Sequence, residues 1–330
     1  MSLLSTRDVV VDFPVGEGQI IRAVDHVSVS LDRGQTLGIV GESGCGKSTM
    51  ARAILQLIRP TSGSVSLKGT ELTQLKGREL RNLRQQMQMV FQDPRGCLDP
   101  RMTVGALLIE PLRVHNLGTS SERTRWAHEM LERIGLDSKF MSRRPVEMSG
   151  GQQQRVAIGR ALITKPELVI CDEPVSALDV SIQAQVINLL GELQKDLGVA
   201  FVFIAHDLAV VRHISDRVAV MYLGRIVEEG PTDELFTRPH HPYTQGLIAS
   251  IPQADSDART RLRNAQRLAA GDLPSLLDPP SGCTYRTRCA YAQDSCSEKV
   301  PDLRTVPSAP RQVACDRWEE IQMGETVEAK

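Results

Sequence analysis

The chain has 330 residues, which bounds it to two domains or to one large domain with an extension. Hydrophobic residues make up 41% and charged residues 24%, a globular balance that excludes a disordered or fibrous chain. A formal net charge of -1 and an aromatic content of 4% give no argument for nucleic acid, anionic lipid or base-stacking platforms.

The longest clean apolar run, residues 199–205, is far short of the ~20 residues a membrane span needs. The first eight residues lack the basic and apolar regions of a secretory signal. The expected compartment is therefore the cytoplasm, where the seven cysteines are thiols or metal ligands rather than disulfides. Cys45, Cys97 and Cys171 are scattered, whereas Cys283, Cys289, Cys296 and Cys315 crowd into the C-terminal part.

From the N-terminus, Val9-Val10-Val11 and residues 27–31 have the β-branched content of strands, so the first 70 residues read as β-rich. Thr36-Leu37-Gly38-Ile39-Val40 is an apolar run that stops at a glycine cluster, the texture of a buried parallel strand. That cluster, Gly41-Glu42-Ser43-Gly44-Cys45-Gly46-Lys47-Ser48, fits G-x-x-x-x-G-K-[ST], and a helix is predicted from Lys47 to about Ile58, ended by Pro60. The glycines let successive backbone N–H groups turn towards phosphate oxygens. Lys47 supplies a point charge to the β- and γ-phosphates, the Ser48 hydroxyl a ligand for Mg²⁺, and Thr49 a contact to a further phosphate oxygen. Alone, this motif says only that the chain is a P-loop nucleotide binder.

Between about residues 93 and 145 the texture is helical, with Trp126, Met130 and Ile134 recurring every four residues. Met148-Ser149-Gly150-Gly151-Gln152 opens a further helix through Val156, Ala157, Arg160, Ala161 and Leu162, and its N-terminus is a second anion site by the dipole argument. Leu168-Val169-Ile170-Cys171-Asp172-Glu173 is a buried strand ending in two acids, where ligands bind in open α/β sheets. Asp172 suits Mg²⁺ held through water, and Glu173 suits accepting a proton from, or polarising, an attacking water. Residues 182–197 place apolar side chains on one helix face, closed by Gly198, and a strand follows over 199–204. Strands alternating with helices argue for a mostly parallel α/β sheet.

These motifs together resemble those of the ABC ATPases over about residues 3–250. Met148-Ser149-Gly150-Gly151-Gln152 matches the family signature, with methionine in place of the usual leucine. Gln92 in Val90-Phe91-Gln92-Asp93-Pro94 matches the Q-loop, Ser176-Ala177-Leu178-Asp179 the D-loop, and His206 the switch histidine. The resemblance implies an α/β P-loop NTPase with a RecA-like core and an N-terminal antiparallel β part. A helical subdomain is inserted at about 93–160 of an ATPase domain spanning 1–250, and 251–330 forms a C-terminal cysteine-containing extension. It also implies ATP and Mg²⁺ as ligands, with Ser48, Gln92 and Asp172 serving the metal, Glu173, His206 and Gln92 serving hydrolysis, and Phe13 stacking on adenine. Two such domains face head to tail, so Ser149, Gly150, Gly151, Gln152 and Asp179 would serve the nucleotide on a second chain.

Among ABC proteins, the interval between Ser48 and Ser149 is too short for the coiled coils of chromosome-maintenance members. One motif set excludes the two-cassette translation factors, and no membrane helix is fused as in many exporters. A separate importer ATPase remains. Arg238-Pro239-His240-His241-Pro242-Tyr243-Thr244-Gln245-Gly246-Leu247 and the cysteine tail resemble hallmarks of the oligopeptide/dipeptide and nickel importer ATPases. Residues 172–181 and 271–275 resemble the second of the two ATPases such importers carry. The implied partners are a related ATPase subunit in a heterodimer, two membrane permeases and a periplasmic or extracellular substrate-binding protein, with the chain peripheral on the cytoplasmic face of the bacterial inner membrane. Nickel or glutathione as cargo, or a soluble switch ATPase outside transport, are the alternatives.

After residue 250, Arg259, Arg261, Arg263 and Arg267 mark a basic segment, and Pro274, Pro279, Pro280 and Gly282 a turn-rich linker. The tail spacing C-x₅-C-x₆-C-x₁₈-C lacks the tight C-x₂₋₄-C pairs of structural zinc. Four thiolates suit an iron–sulfur cluster, and the resemblance implies 4Fe–4S; the alternative is four reduced thiols without metal. Distance in sequence from every nucleotide motif predicts a structural role for the tail, apart from hydrolysis.

Overall fold

The computed structural model describes residues 2–16, 18–251, 273–307 and 309–322. The basic segment from Arg259 to Arg267 lies outside the described residues.

Two sheets organise these residues. In the first, β1 (Leu4–Pro14) lies between β2 (Ile20–Val27) and β5 (Ser62–Leu67), antiparallel to both; β6 (Thr70–Glu71) continues beyond β5, and the short β3 (Ser30–Leu31) also pairs with β1. The second sheet contains β4 (Thr36–Val40), β7 (Met87–Val90), β8 (Leu168–Asp172), β9 (Ala200–Ile204), β10 (Arg217–Tyr222), β11 (Arg225–Pro231), β12 (Arg304–Thr305) and β13 (Gln312–Val313). Its order is β12-β13-β11-β10-β4-β9-β8-β7. The five strands from β10 to β7 run parallel, and every residue of β4, β8 and β9 is buried. Strands apolar on both faces are what a parallel sheet covered on both sides requires.

Register then brings the strand ends together. Ile39 and Asp172 both pair with Ile204, and Cys171 pairs with Val90. The residues just beyond these strands, including Gly41, Gln92, Glu173 and His206, therefore leave the sheet along one edge.

Helices Val104–Val114, Ser120–Arg133 and Gly150–Leu162 pack on one another through buried Leu107, Leu108, Leu131, Ile134, Val156 and Ile158. Thr119 and Glu122 form a reciprocal capping box that starts the second of these helices. The helix predicted over 182–197 is Val180–Leu197, ending at Gly198 in the left-handed conformation.

Two local expectations are corrected. The helix after the P-loop stops at Ile54, not Ile58: Gln56 has φ 54°, and the N–H groups of Leu57 and Ile58 both turn back to the Arg52 carbonyl. Residues 27–31 are not one strand, because Val27 closes β2 while the Val29 N–H donates to Thr6 Oγ1 at 2.9 Å instead of to a ladder partner.

The tail does not hang free. β13 pairs antiparallel with β11, and β12 with β13, so the tail extends the edge of the large sheet. Beneath it, fully buried Glu228 accepts hydrogen bonds from the His240 and His241 N–H groups at 2.8 and 2.9 Å. Arg311 of the tail lies beside this carboxylate and donates to the Arg238 carbonyl at 2.6 Å. A buried carboxylate held by two N–H groups and a guanidinium is an arrangement a low-dielectric interior tolerates.

Candidate nucleotide site

The P-loop joins the end of β4 to helix Lys47–Ile54. Lys47 is 5% exposed, and its Nζ donates to the carbonyls of Gly41 and Glu42 at 2.8 and 2.9 Å. The ammonium thus sits across the mouth of its own loop, where a phosphate oxygen would replace those carbonyls. Cys45 packs inside the loop, and burial pushes its thiol up, which keeps it neutral.

Opposite the loop, Ser48 Oγ donates to Asp172 Oδ1 at 2.8 Å. Burial pushes the Asp172 carboxyl up from its ordinary value, opposed by that hydrogen bond and by nearby Arg52. A hydroxyl and a desolvated carboxylate side by side form an oxygen donor set, which fits Mg²⁺ held with substrate phosphates and water.

Glu173 follows with φ 48°, a strained conformation for a residue with a Cβ. Its N–H is fixed to the Ile204 carbonyl at 2.9 Å, and its carbonyl accepts from Ser176 Oγ at 3.1 Å. The backbone turn aims the carboxylate along the sheet edge. There Gln92 Nε2 donates to Glu173 Oε2 at 2.8 Å, and His206 Nδ1 lies 3.6 Å from the same oxygen. Three residues from three strand ends, far apart in sequence, thus meet at one carboxylate.

Other predicted positions form a second group. Ser149 caps helix Gly150–Leu162 and exchanges hydrogen bonds with Gln152. A Cβ on Gly151 would meet Ile182 Cγ2 at 2.6 Å, so this helix start packs on the helix that follows Asp179. Ser149 and Asp179 are exposed. Among the described residues, no hydrogen bond or ion pair joins 149–152 to the P-loop of the same chain. Phe13, at the end of β1 opposite Ile21, is 36% exposed, and Ser43 and Gly44 of the loop are exposed, while Thr49 is half-buried.

The tail reaches the P-loop, which sequence distance did not suggest. Arg288, between Cys283 and Cys289, donates to both Glu42 carboxylate oxygens at 2.9 and 3.0 Å. The Glu42 N–H donates to the Tyr243 hydroxyl at 2.9 Å. The missed signal was the Pro-Tyr step of the 238–247 segment: it starts helix Pro242–Ala249 and turns Tyr243 inward, 3% exposed.

None of the four tail cysteines is joined in a disulfide. The Cys283 N–H donates to the Cys296 carbonyl at 2.8 Å. Burial pushes the Cys289 thiol up to about 11 and Cys315 up to about 12, and the neighbouring Cys283, Cys289 and Cys296 add to the shift at Cys315. Among the described residues, no group of three or more His, Cys, Asp or Glu is arranged to hold a metal ion, so the cysteines do not form a ready-made ligand cage.

Residues 24–176 match the ABC transporter family, and residues 227–296 match the family described as oligopeptide/dipeptide transporter, C-terminal region. The probable peptide ABC transporter ATP-binding protein y4tS of Sinorhizobium fredii is 49% identical over 320 residues, covering 95% of this chain and 89% of that protein. The oligopeptide transport ATP-binding protein AppF of Bacillus subtilis is 48% identical over 322 residues, covering 95% and 97%. Among solved structures, the ATP-binding cassette MJ0796, in a dimeric post-hydrolysis state bound to ADP and Pi, aligns with a TM-score of 0.64 at 32% identity, covering 69% of this chain and 98% of that one.

Proposed function

The chain belongs to the ATP-binding subunits of ABC transporters, in the branch that carries the oligopeptide/dipeptide C-terminal region, and from that premise we propose that it hydrolyses ATP to drive import of peptides through a membrane transporter. The observation that carries the hydrolytic part is the meeting of Gln92 and His206 at the Glu173 carboxylate, beside the Ser48–Asp172 pair. Peptide as cargo rests on the C-terminal region and on relatives named as peptide and oligopeptide transport ATP-binding proteins.

In this reading the phosphates lie in the loop of Gly41, Glu42, Ser43, Gly44, Cys45, Gly46, Lys47, Ser48 and Thr49, with Phe13 against the base. Lys47 leaves its two carbonyl acceptors for the β- and γ-phosphates. Ser48, Asp172 and Gln92 hold Mg²⁺, which when bound offsets charge on the phosphate oxygens. Glu173 takes a proton from the attacking water, His206 orients the water and the γ-phosphate, and the site excludes bulk water once a second subunit closes over it.

The signature residues Ser149, Gly150, Gly151 and Gln152, with Asp179, face outward for a partner's nucleotide. We assign a heterodimer with a related ATPase, seated on two permeases that a substrate-binding protein supplies, peripheral to the cytoplasmic face of the inner membrane. No helix among the described residues is long and apolar enough to cross a membrane, which agrees with separate permease chains. The permease surface is assigned to Gln92 and residues 93–104. A cleft of about 320 Å³ opens beside it, with Leu57, Phe91 and Val114 exposed at its rim. The division into an ATPase domain at 1–250, with helices inserted at 93–160, and an extension at 251–330 belongs to the same reading.

For the tail, the reading includes Cys283, Cys289, Cys296 and Cys315 closing on a 4Fe–4S cluster, a donor set of four thiolates that such clusters take. Iron and sulfide analysis of anaerobically purified protein tests it; colourless protein with zinc or no metal refutes it. The transport reading is tested by co-purification: a tagged chain should bring down permease subunits from detergent-solubilised membranes, and recovery as a solitary soluble ATPase refutes it.

A further inference from the structure

We propose that the C-terminal extension, through Arg288 and together with Tyr243 of helix Pro242–Ala249, is a positioning element of the nucleotide site, acting on Glu42 of the P-loop. The proposal rests on the nucleotide-binding part of the function above.

All three hydrogen-bonding groups of Glu42 are engaged. Its N–H goes to the Tyr243 hydroxyl at 2.9 Å, its carbonyl accepts from Lys47 Nζ at 2.9 Å, and its carboxylate receives Arg288 at 2.9 and 3.0 Å. Two of the three holders come from outside the ATPase motifs, and each is buried: Tyr243 is 3% exposed and the Arg288 side chain 7%.

These holders are themselves fixed by an aromatic cluster that spans three parts of the fold. Tyr222 ends β10, Tyr243 opens helix Pro242–Ala249, and Tyr285 belongs to the tail. Their ring centroids are 4.6 Å (Tyr222–Tyr243), 5.2 Å (Tyr222–Tyr285) and 5.4 Å (Tyr243–Tyr285) apart. The Arg288 guanidinium lies 5.9 Å from the Tyr222 ring and 6.0 Å from the Tyr285 ring, within cation–π range. A guanidinium clamped on two rings loses little further freedom on binding a carboxylate.

The consequence concerns Lys47. Its ammonium must leave the Gly41 and Glu42 carbonyls to meet a phosphate. The Gly41 carbonyl belongs to the same peptide unit as the Glu42 N–H that binds the Tyr243 hydroxyl, and the Glu42 carbonyl belongs to the residue whose side chain Arg288 holds. With Glu42 fixed from behind, the loop keeps its open curvature as Lys47 departs. Without the tie, ordering the loop becomes a cost of binding. Arg288 also immediately precedes Cys289 and follows Cys283 by five positions, so the state of the cysteine region reaches the P-loop through adjacent chain rather than across a separate domain.

The test uses the full chain and equilibrium binding of a fluorescent ATP analogue, with steady-state ATPase alongside. Arg288→Ala should weaken binding about tenfold, the scale expected for losing the part-buried, charge-assisted Arg288–Glu42 contact, with kcat at saturating ATP unchanged. Arg288→Lys should restore most of the affinity. Glu42→Gln, nearly isosteric, should weaken binding likewise, and adding Arg288→Ala to it should cost nothing more. Unchanged affinity in Glu42→Gln, or an equal penalty for Arg288→Ala in both backgrounds, overturns the proposal, including the case in which Arg288→Ala fails to fold. The readout is nucleotide affinity of one chain, so its failure is distinct from failure to associate with permeases.

Discussion

Gln92 and Glu173 are 81 positions apart, yet the Gln92 amide donates to the Glu173 carboxylate at 2.8 Å. Parallel pairing of β7 with β8 makes this possible, because Val90 and Cys171 are register partners and both chains leave the sheet on the same side. The Q-loop thus touches the proposed base directly. Movement of residues 93–104 by a permease would be felt at that carboxylate without any intermediate.

Glu173→Gln keeps the side-chain shape and the Gln92 contact but removes the base. Turnover should fall ~10²–10⁴-fold while ATP binding is retained. Single-turnover hydrolysis and binding, measured with both ATPase subunits present, check this; wild-type turnover would remove Glu173 from the mechanism.

Gly46 has φ 107°, and a Cβ there would meet the Ala23 carbonyl oxygen at 2.0 Å. Gly46→Ala should therefore displace the P-loop and abolish detectable nucleotide binding, while the core packing away from the loop stays intact. Calorimetric titration with ATP, with circular dichroism for the fold, measures both.

Burial pushes His241 from 6.5 down to about 3, so it is neutral in the folded chain, with Nδ1 accepting from the Tyr243 N–H at 3.1 Å. Between those values the unfolded chain binds a proton that the folded chain does not. This contribution to stability is present above about pH 6.5 and is lost as pH falls towards about 3. Glu228, whose carboxyl burial raises, has the opposite sign and loses stability as pH rises through its elevated value. His241→Asn keeps a helix-capping acceptor and should flatten the acid limb of a melting-temperature profile relative to wild type. An unchanged acid limb would place the sensitivity elsewhere.

A cysteine introduced at Arg101, an exposed residue, should cross-link to a cytoplasmic loop of a permease in the assembled transporter. Cross-linking to the partner ATPase alone would move the permease surface away from residues 93–104.

The sequence made the nucleotide core legible because its chemistry is local. The P-loop, the signature and the Asp172-Glu173 pair each carry their geometry within a few residues, and the buried strands announce themselves as unbroken apolar runs. The convergence of Gln92 and His206 on Glu173 was available only through the family resemblance, since it depends on strand register. The end of the first helix was misread because no proline or glycine marks the turn at Gln56. Arg288 was invisible because its partner lies 246 positions away and its packing depends on three tyrosines from separate segments. The contact of the tail with the P-loop was hidden for the same reason: distance along the chain says little once β13 joins the large sheet beside β11.

The most direct test of the account is the ATPase rate of the complete transporter in proteoliposomes, measured with and without peptide-loaded substrate-binding protein. The account predicts stimulation by the loaded binding protein, lost when this chain carries Glu173→Gln. A rate indifferent to peptide, or stimulation that survives Glu173→Gln in this subunit, would contradict it.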